Sequence, residues 1–332
     1  MFIDSLITIL NPFLLFTTLL GVSLGIIWGA LPGLSTTMAM ALLIGFTSTM
    51  SQDTAICFML GVYTGSVFGG AISAILINIP GTPDAVPTMI EGHALAKKGE
   101  AGTALGTAIF GSFVGNWIGI LILIFLMPFL IAVALNFKSW EMFLLSIIGI
   151  SVCGTMCSGE LPIKGWIVGW IGILIAMVGI DPIFGVERFT FENPNFYDGF
   201  SYIPILIGLF GICEIIKTLP NQNKTPIPEK IGKLFLPLKQ LFSYVSTAVR
   251  SGLIGTFIGA LPGAGANVAS FLSYDIGKKR AKPSEKLKWG KGSYEAIISA
   301  EVANNANIGG SILPTLALGI PGNAAAAALL AA

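Results

Sequence analysis

Apolar residues dominate this chain in long uncharged runs, separated by short polar or proline-glycine interruptions. Such runs lie at 12–31, 34–50, 54–79, 101–137, 139–158, 162–180 and 201–219. A bilayer core of about 30 Å takes about 20 helical residues at about 1.5 Å each. Runs 139–158, 162–180 and 201–219 each fit one crossing. Run 101–137 is longer than one crossing needs, and Gly111, Gly115, Gly119 and Pro128 are expected to break or tilt it. Glycines 61, 65, 69 and 70 in run 54–79 permit close helix packing. Pro80, Pro83 and Pro87 then forbid a regular helix, and a polar segment follows at 91–100.

The interruptions recur. Gly29-Ala30-Leu31-Pro32-Gly33-Leu34-Ser35 returns 230 residues later as Gly259-Ala260-Leu261-Pro262-Gly263-Ala264-Gly265-Ala266-Asn267. A second marker, Asn78-Ile79-Pro80-Gly81-Thr82-Pro83, is echoed 241 residues on by Gly319-Ile320-Pro321-Gly322-Asn323. Two unlike motifs in the same order at nearly one offset imply duplication, and in a membrane chain this is the pattern of a transporter built from two related halves. Residues 1–137 then form a first repeat, with a hairpin at 12–50, a marker at 80–83 and the long apolar span. Residues 138–240 are connecting helices and a basic loop. Residues 241–332 are a second repeat, with a hairpin at 241–277, a basic loop at 278–291 and a marker at 321–322. The final Ala324–Ala332 run has no polar tail, so the second repeat is expected to be incomplete and the chain a C-terminally truncated fragment.

Charge fixes an expected orientation. Loop 181–200 holds Asp181, Glu187, Glu192 and Asp198 against Arg188, whereas loop 217–239 has five lysines against Glu229 and loop 278–291 has seven Lys or Arg against Glu285. The positive-inside rule puts the two basic loops in the cytoplasm and 181–200 outside. The segment between the basic loops must leave and return. Its second arm, 263–277, reaches only about 22 Å as helix, so a re-entrant hairpin with Pro262-Gly263 at its tip is expected. Counting back places Lys97 and Lys98 inside and the N-terminus outside, which inverts the first half relative to the second.

Composition agrees with this reading. The chain is 54% hydrophobic and 11% charged, against about 25% charged in an average soluble domain, with mean hydropathy +0.84. The expected fold is an all-α polytopic membrane protein with two inverted repeats, each carrying a Pro-Gly-tipped re-entrant hairpin. A net charge of +1 gives no reason to expect a nucleic-acid partner. The N-terminus lacks the basic region and small-residue cleavage site of a removable signal peptide. Cys57, Cys153, Cys157 and Cys213 lie in apolar sequence with no histidine near, and read as small buried residues rather than metal ligands. No metal site and no cofactor are expected.

A helix that breaks at Pro-Gly frees N–H groups at one half-helix start and carbonyls at the other's end, suiting an anion and a cation respectively. The candidate substrate-binding residues are therefore Gly33, Ser35, Thr36 and Thr37 at the first break, Gly81 and Thr82 at the first marker, and Gly263, Gly265 and Asn267 at the second break. Asn304 and Asn305 join them, since with Glu301 they share a helix face at i, i+3 and i+4. Asn78, Asp84 and Glu301 are the candidate coupling-ion residues. Plainer readings stand beside these. The Pro-Gly pairs serve as turns, the hydroxyls as N-caps, Asn304 and Asn305 as bridges between helices, and Asp275 and Glu301 as solvated interface charges. His93 reads as solvated in a polar loop.

The first break, the first marker and Ala96-Lys97-Lys98-Gly99-Glu100-Ala101 together resemble TctA, the large membrane subunit of the tripartite tricarboxylate transporters. The second half carries the resemblance too, in Leu261-Pro262-Gly263-Ala264-Gly265, Lys291-Gly292-Ser293, Ala303-Asn304-Asn305-Ala306, Gly309-Gly310 and Gly319-Ile320-Pro321-Gly322. Glu91 stands before Gly92 where that family usually has Asp. The resemblance implies secondary transport of tricarboxylates or related organic acids, driven by Na+ or H+, in the bacterial inner membrane. It implies a small TctB-like membrane partner and a TctC-like periplasmic substrate-binding protein. Members of that family are longer than this chain. A channel or a structural membrane subunit is the alternative. An intramembrane enzyme is a remote one, because paired carboxylates or histidine ligands within spans are missing.

Overall fold

A computed structural model of the chain describes residues 10–32, 34–134, 162–181, 185–200 and 236–332, with positions 136, 140, 143–144, 147, 216 and 232–234. Gly33, Cys153, Cys157, Cys213, the expected spans 139–158 and 201–219, and most of the loop 217–239 lie outside the described residues.

The elements begin and end where local chemistry dictates. Helix α1 (Pro12–Ala30) starts on Asn11, whose side chain accepts from the Phe13 N–H at 2.9 Å, with proline in its first turn. It stops at Leu31, where the backbone turns extended. Helix α2 (Thr36–Thr47) is capped by Ser35, and α3 (Gln52–Ile77) ends at Asn78 in the left-handed region. A 3-10 turn, Pro83–Ala85, leads into α4 (Val86–Ala96). Pro80 and Pro83 do break the helix, but Pro87 does not: it sits in the first turn of α4, where its missing N–H costs nothing. His93 is consequently on a helix and half-buried, with Nδ1 3.1 Å from the Ile75 carbonyl, not solvated in a loop.

Helix α5 (Ala101–Ala134) is continuous over 34 residues, so the expected break does not occur. Gly111, Gly115 and Gly119 are a contact face instead, bringing α5 against Glu301, Val302 and Ala306. Then come α6 (Pro162–Ala176) and a short antiparallel ladder pairing Gly179 with Arg188 and Ile180 with Glu187. The second half follows with α7 (Leu238–Ser243), α8 (Val245–Ala260), α9 (Gly265–Arg280), α10 (Pro283–Lys286), α11 (Tyr294–Leu318) and α12 (Ala324–Leu330). Among the described residues the chain is all-α apart from the ladder. Among the described residues three helices, Pro12–Ala30, Gln52–Ile77 and Ala101–Ala132, are long and apolar enough to cross a membrane.

The two halves match in detail. Helices α1 and α8 end 230 residues apart, at Ala30 and Ala260, and their C-caps have nearly the same backbone angles, φ −84 and ψ 115 at Leu31 against φ −83 and ψ 118 at Leu261. Helices α3 and α11 end 241 residues apart and both close on a left-handed residue, Asn78 (φ 58) and Gly319 (φ 68). A Cβ built on Gly81 would strike the Gly29 carbonyl and the Gly70 Cα. One on Gly322 would strike the Gly259 carbonyl and the Ser311 Cα, which are the matching positions.

In the second half the chain folds back at its break. Ser251 on α8 and Ser273 on α9 both reach the Ser299 hydroxyl, at 3.3 Å and 3.1 Å. Helices α3 and α11 run antiparallel. Ile75, late in α3, shares an apolar cluster with Ile297, early in α11, while Tyr63 meets Ser311 across the same pair.

Backbone contact at glycine seams holds these helices together. Gly21, Gly25 and Gly29 of α1 lie on the carbonyls of Phe58, Val62 and Ser66 of α3, and Gly61, Gly65 and Gly69 return the contact. Gly255 and Gly259 of α8 meet the carbonyls of Ala303 and Asn307 of α11, and Gly310 returns it to Thr256. Helix α11 is buried from Ala296 to Thr315 on every side.

One end of the bundle gathers the basic segments. Lys98 donates to the Lys291 carbonyl at 2.6 Å, and Thr103 to the Lys233 carbonyl at 3.0 Å. Glu91, fully buried there, is the clasp between the halves. Its Oε1 accepts from the Tyr274 hydroxyl at 2.6 Å and from the Gly290 N–H, and its Oε2 from the N–H groups of Gly292 and Ser293 at 2.9 Å and 2.8 Å.

A methyl group at the seam tests this packing. At Gly255 the added Cβ would lie 2.2 Å from the Ala303 carbonyl oxygen, so α8 must move off α11. Gly255→Ala is expected to destabilise by about 1–3 kcal/mol, as overpacking does. Gly45→Ala, where nothing lies within 4 Å, should be neutral or stabilising by up to about 1 kcal/mol. Thermal unfolding of the two purified variants in detergent checks the contrast.

Candidate functional site

The breaks and markers converge in the interior. The Gly263 N–H donates to the Gly322 carbonyl at 2.9 Å, tying the second tip to its own marker. The halves also cross. Helix α9, the returning arm of the second hairpin, lies on Pro83–Ala85 of the first half, and α2 lies on α12 of the second. Gly263 (φ 80) and Gly265 (φ 69) hold the left-handed backbone that the tip requires.

The candidate substrate residues divide once placed. Ser35 is half-buried and its hydroxyl accepts from the Met38 N–H at 3.1 Å, so it serves as an N-cap. Thr36 and Thr37 are half-buried, and the Thr36 Oγ1 has no hydrogen-bond partner. Gly81 and Thr82 are buried at the marker. Asn267 is exposed on α9, and Gly263 is exposed at the tip.

Asn304 and Asn305 are both fully buried, yet adjacent residues on a helix point about 100° apart and meet different neighbours. Asn305 donates to the Ser112 hydroxyl at 2.9 Å and to the Glu301 carbonyl at 3.0 Å, and accepts from Asn116 at 3.3 Å. It is a bridge. Neither polar atom of the Asn304 side chain has a partner.

The three candidate ion residues divide as well. Asn78 is exposed and ends α3 with its left-handed backbone. Glu301 is fully buried, not a solvated interface charge, and its oxygens are occupied: Thr88 donates to Oε1 at 2.5 Å and Ser112 to Oε2 at 3.0 Å. Asp84 is buried at 5% exposure beside Thr82 and Asn304, and its Oδ2 has no partner. Asp275 is half-exposed and pairs with Lys279 at 2.6 Å, as an interface charge would.

A second polar cluster went unread in the sequence. Asn323 caps α12, its side-chain oxygen accepting from the Ala326 N–H, and its amide donates to the Tyr63 hydroxyl at 2.8 Å and to Asn307 at 3.3 Å. Tyr63 also meets Ser311 at 3.1 Å. The available signal was the polarity of α11, which carries Glu301, three asparagines and Ser311 where a lipid-facing span would be apolar.

This arrangement is two broken-helix hairpins, crossed with each other's markers around a buried polar interior. Comparison with known sequences assigns it. A family model described as the tripartite tricarboxylate transporter TctA family matches residues 15–332. The chain belongs to the TctA family. An uncharacterized 52.8 kDa protein in the TAR-I ttuC' 3' region of Agrobacterium vitis is 36% identical over 327 residues, 98% of this chain. An uncharacterized protein in the TAR-II ttuC' 3' region of the same organism is 40% identical over 79 residues, covering 24% of this chain and 31% of its own length. This TctA-family chain spans 64% of the length of the TAR-I relative. No solved structure matches it.

The two asparagines give a sharp contrast. Asn305→Ala strips a donor from Ser112 and Glu301 inside the protein and should cost about 1–3 kcal/mol of stability. Asn304→Ala removes a buried side chain that completes no hydrogen bond and should cost less than Asn305→Ala. Thermal unfolding of the two purified variants in detergent reads the difference.

Proposed function

We propose that this chain is the translocating part of a secondary carrier for tricarboxylates or related organic acids, driven by an ion gradient across the bacterial inner membrane. It works with a small TctB-like membrane subunit and receives substrate from a TctC-like periplasmic binding protein. Membership of the TctA family supports this, and the observation that carries it is the matched pair of broken helices. Their caps agree to a few degrees, and α3 and α11, which belong to different halves, run antiparallel. That is the arrangement expected of inverted repeats, in which one half moves against the other around a fixed central site.

The substrate sits where the tips meet the markers. Half-helix starts and glycine backbone supply N–H donors to a carboxylate, and neither 29–37 nor 259–267 contains Lys or Arg. A neutral, backbone-rich site binds an organic anion closely and still releases it. Lys98, Lys291 and the basic segments gathered around Glu91 mark the cytoplasmic end.

Gly263→Val is the direct test, because valine at φ 80 is strained. The full-length protein with its partners should lose uptake of labelled tricarboxylate while remaining expressed and folded, with an unfolding midpoint lowered by the strain. Ser35→Ala should retain most activity, since it removes a cap worth about 1 kcal/mol. A folded Gly263→Val variant with wild-type uptake would take the tip out of the site, and absence of labelled counterflow in the wild type would make the protein a channel.

A further inference from the structure

Asp84 is a buried carboxyl group whose Oδ2 has no hydrogen-bond partner. Among the described residues no Lys, Arg or His forms a salt bridge with it, and its charge acts on Glu301, another acid, and on the Tyr63 hydroxyl. Its neighbours are unanswered too. The Asp84 Oδ2, the Thr82 Oγ1 and both side-chain atoms of Asn304 are all buried without a hydrogen-bond partner. Asn304 and Thr82 lie close enough to act on the Asp84 carboxylate but complete no bond to it. A lone buried carboxylate is costly, and unpaired buried polar atoms are rare.

The matching place in the other half sharpens the point. At an offset of 241, Thr82, Asp84 and Tyr63 correspond to Asn323, Ala325 and Asn304. There the set is closed: Asn323 donates to Tyr63, and Tyr63 meets Ser311. The duplicated scaffold thus holds a neutral, satisfied cluster on one side and an acidic, unsatisfied one on the other. The difference is one carboxylate and three open oxygens, which is a cation site in composition.

We propose that Asp84, Thr82 and Asn304 bind one sodium ion, the ion whose gradient drives the carrier; this rests on the transport reading above. One carboxylate matches one positive charge, and hydroxyl and carboxamide oxygens are hard ligands suited to sodium. A divalent ion would call for more carboxylates. Glu301 is not a ligand, since Thr88 and Ser112 already hold its oxygens. Asn78 is not one either, being exposed at the end of α3.

The test is binding, separate from transport. The full-length purified protein is unfolded thermally in NaCl, KCl or N-methylglucamine chloride at equal ionic strength and fixed pH, and again across pH without sodium. A midpoint rise specific to sodium is expected. Asp84→Asn should abolish the rise, and the variant should fold because Ala325 occupies the matching position. Thr82→Val keeps the charge and should raise the sodium concentration needed about tenfold, which covers a failure of Asp84→Asn to fold. Equal midpoints in sodium and potassium would overturn the proposal. So would stabilisation by acid alone, which would make the ion a proton. Uptake that persists without any sodium shift removes this site and leaves the carrier reading standing. A sodium shift in a protein that does not transport does the reverse.

Discussion

Direct contact between helix backbones is the condition on which the rest of this molecule depends. In lipid, apolar side chains gain little by leaving their surroundings, so helices associate through close van der Waals approach and interhelical hydrogen bonds. The seams of α1 with α3, α8 with α11, and α5 with α11 are all made by glycine against carbonyl. They allow α11, with its carboxylate and three asparagines, to be surrounded on every side. Only within such a sheath does a helix of that polarity have a place at membrane depth.

The sheath gives buried polar groups two distinct fates. Glu301, Asn305, Ser112 and Thr88 close on one another and fix α5 and α4 to α11. Asp84, Thr82 and Asn304 do not close. The same helix therefore supplies both a rigid joint and an open site, within a single turn. The backbone turns that end the helices are alike in both halves, while the side chains hung on them differ.

The helical class and the helix ends at Ala30, Ile77, Ala260 and Leu318 were legible because Pro-Gly in apolar sequence leaves the backbone few options. The continuity of α5 was not. Gly111, Gly115 and Gly119 were read for their power to break a helix, whereas here they form its contact face, and Pro128 is accommodated within the helix. Asn304 and Asn305 were grouped by spacing, but one residue of rotation sends them to different neighbours. Ser35 was ambiguous because a cap and a ligand donor have the same sequence signature. The role of Glu91 had no local sign at all, since the groups that hold it come from 183 to 202 residues downstream.

That separation bears on how the protein is made. Glu91 emerges during synthesis long before Tyr274 and the 290–293 backbone exist. Until they arrive, the carboxylate lacks the four groups that hold it. Closure of the clasp thus waits for the second half of the chain, and it joins α4 to α9 and the 290–293 backbone. The order of translation, as much as the final geometry, sets when Glu91 finds its partners.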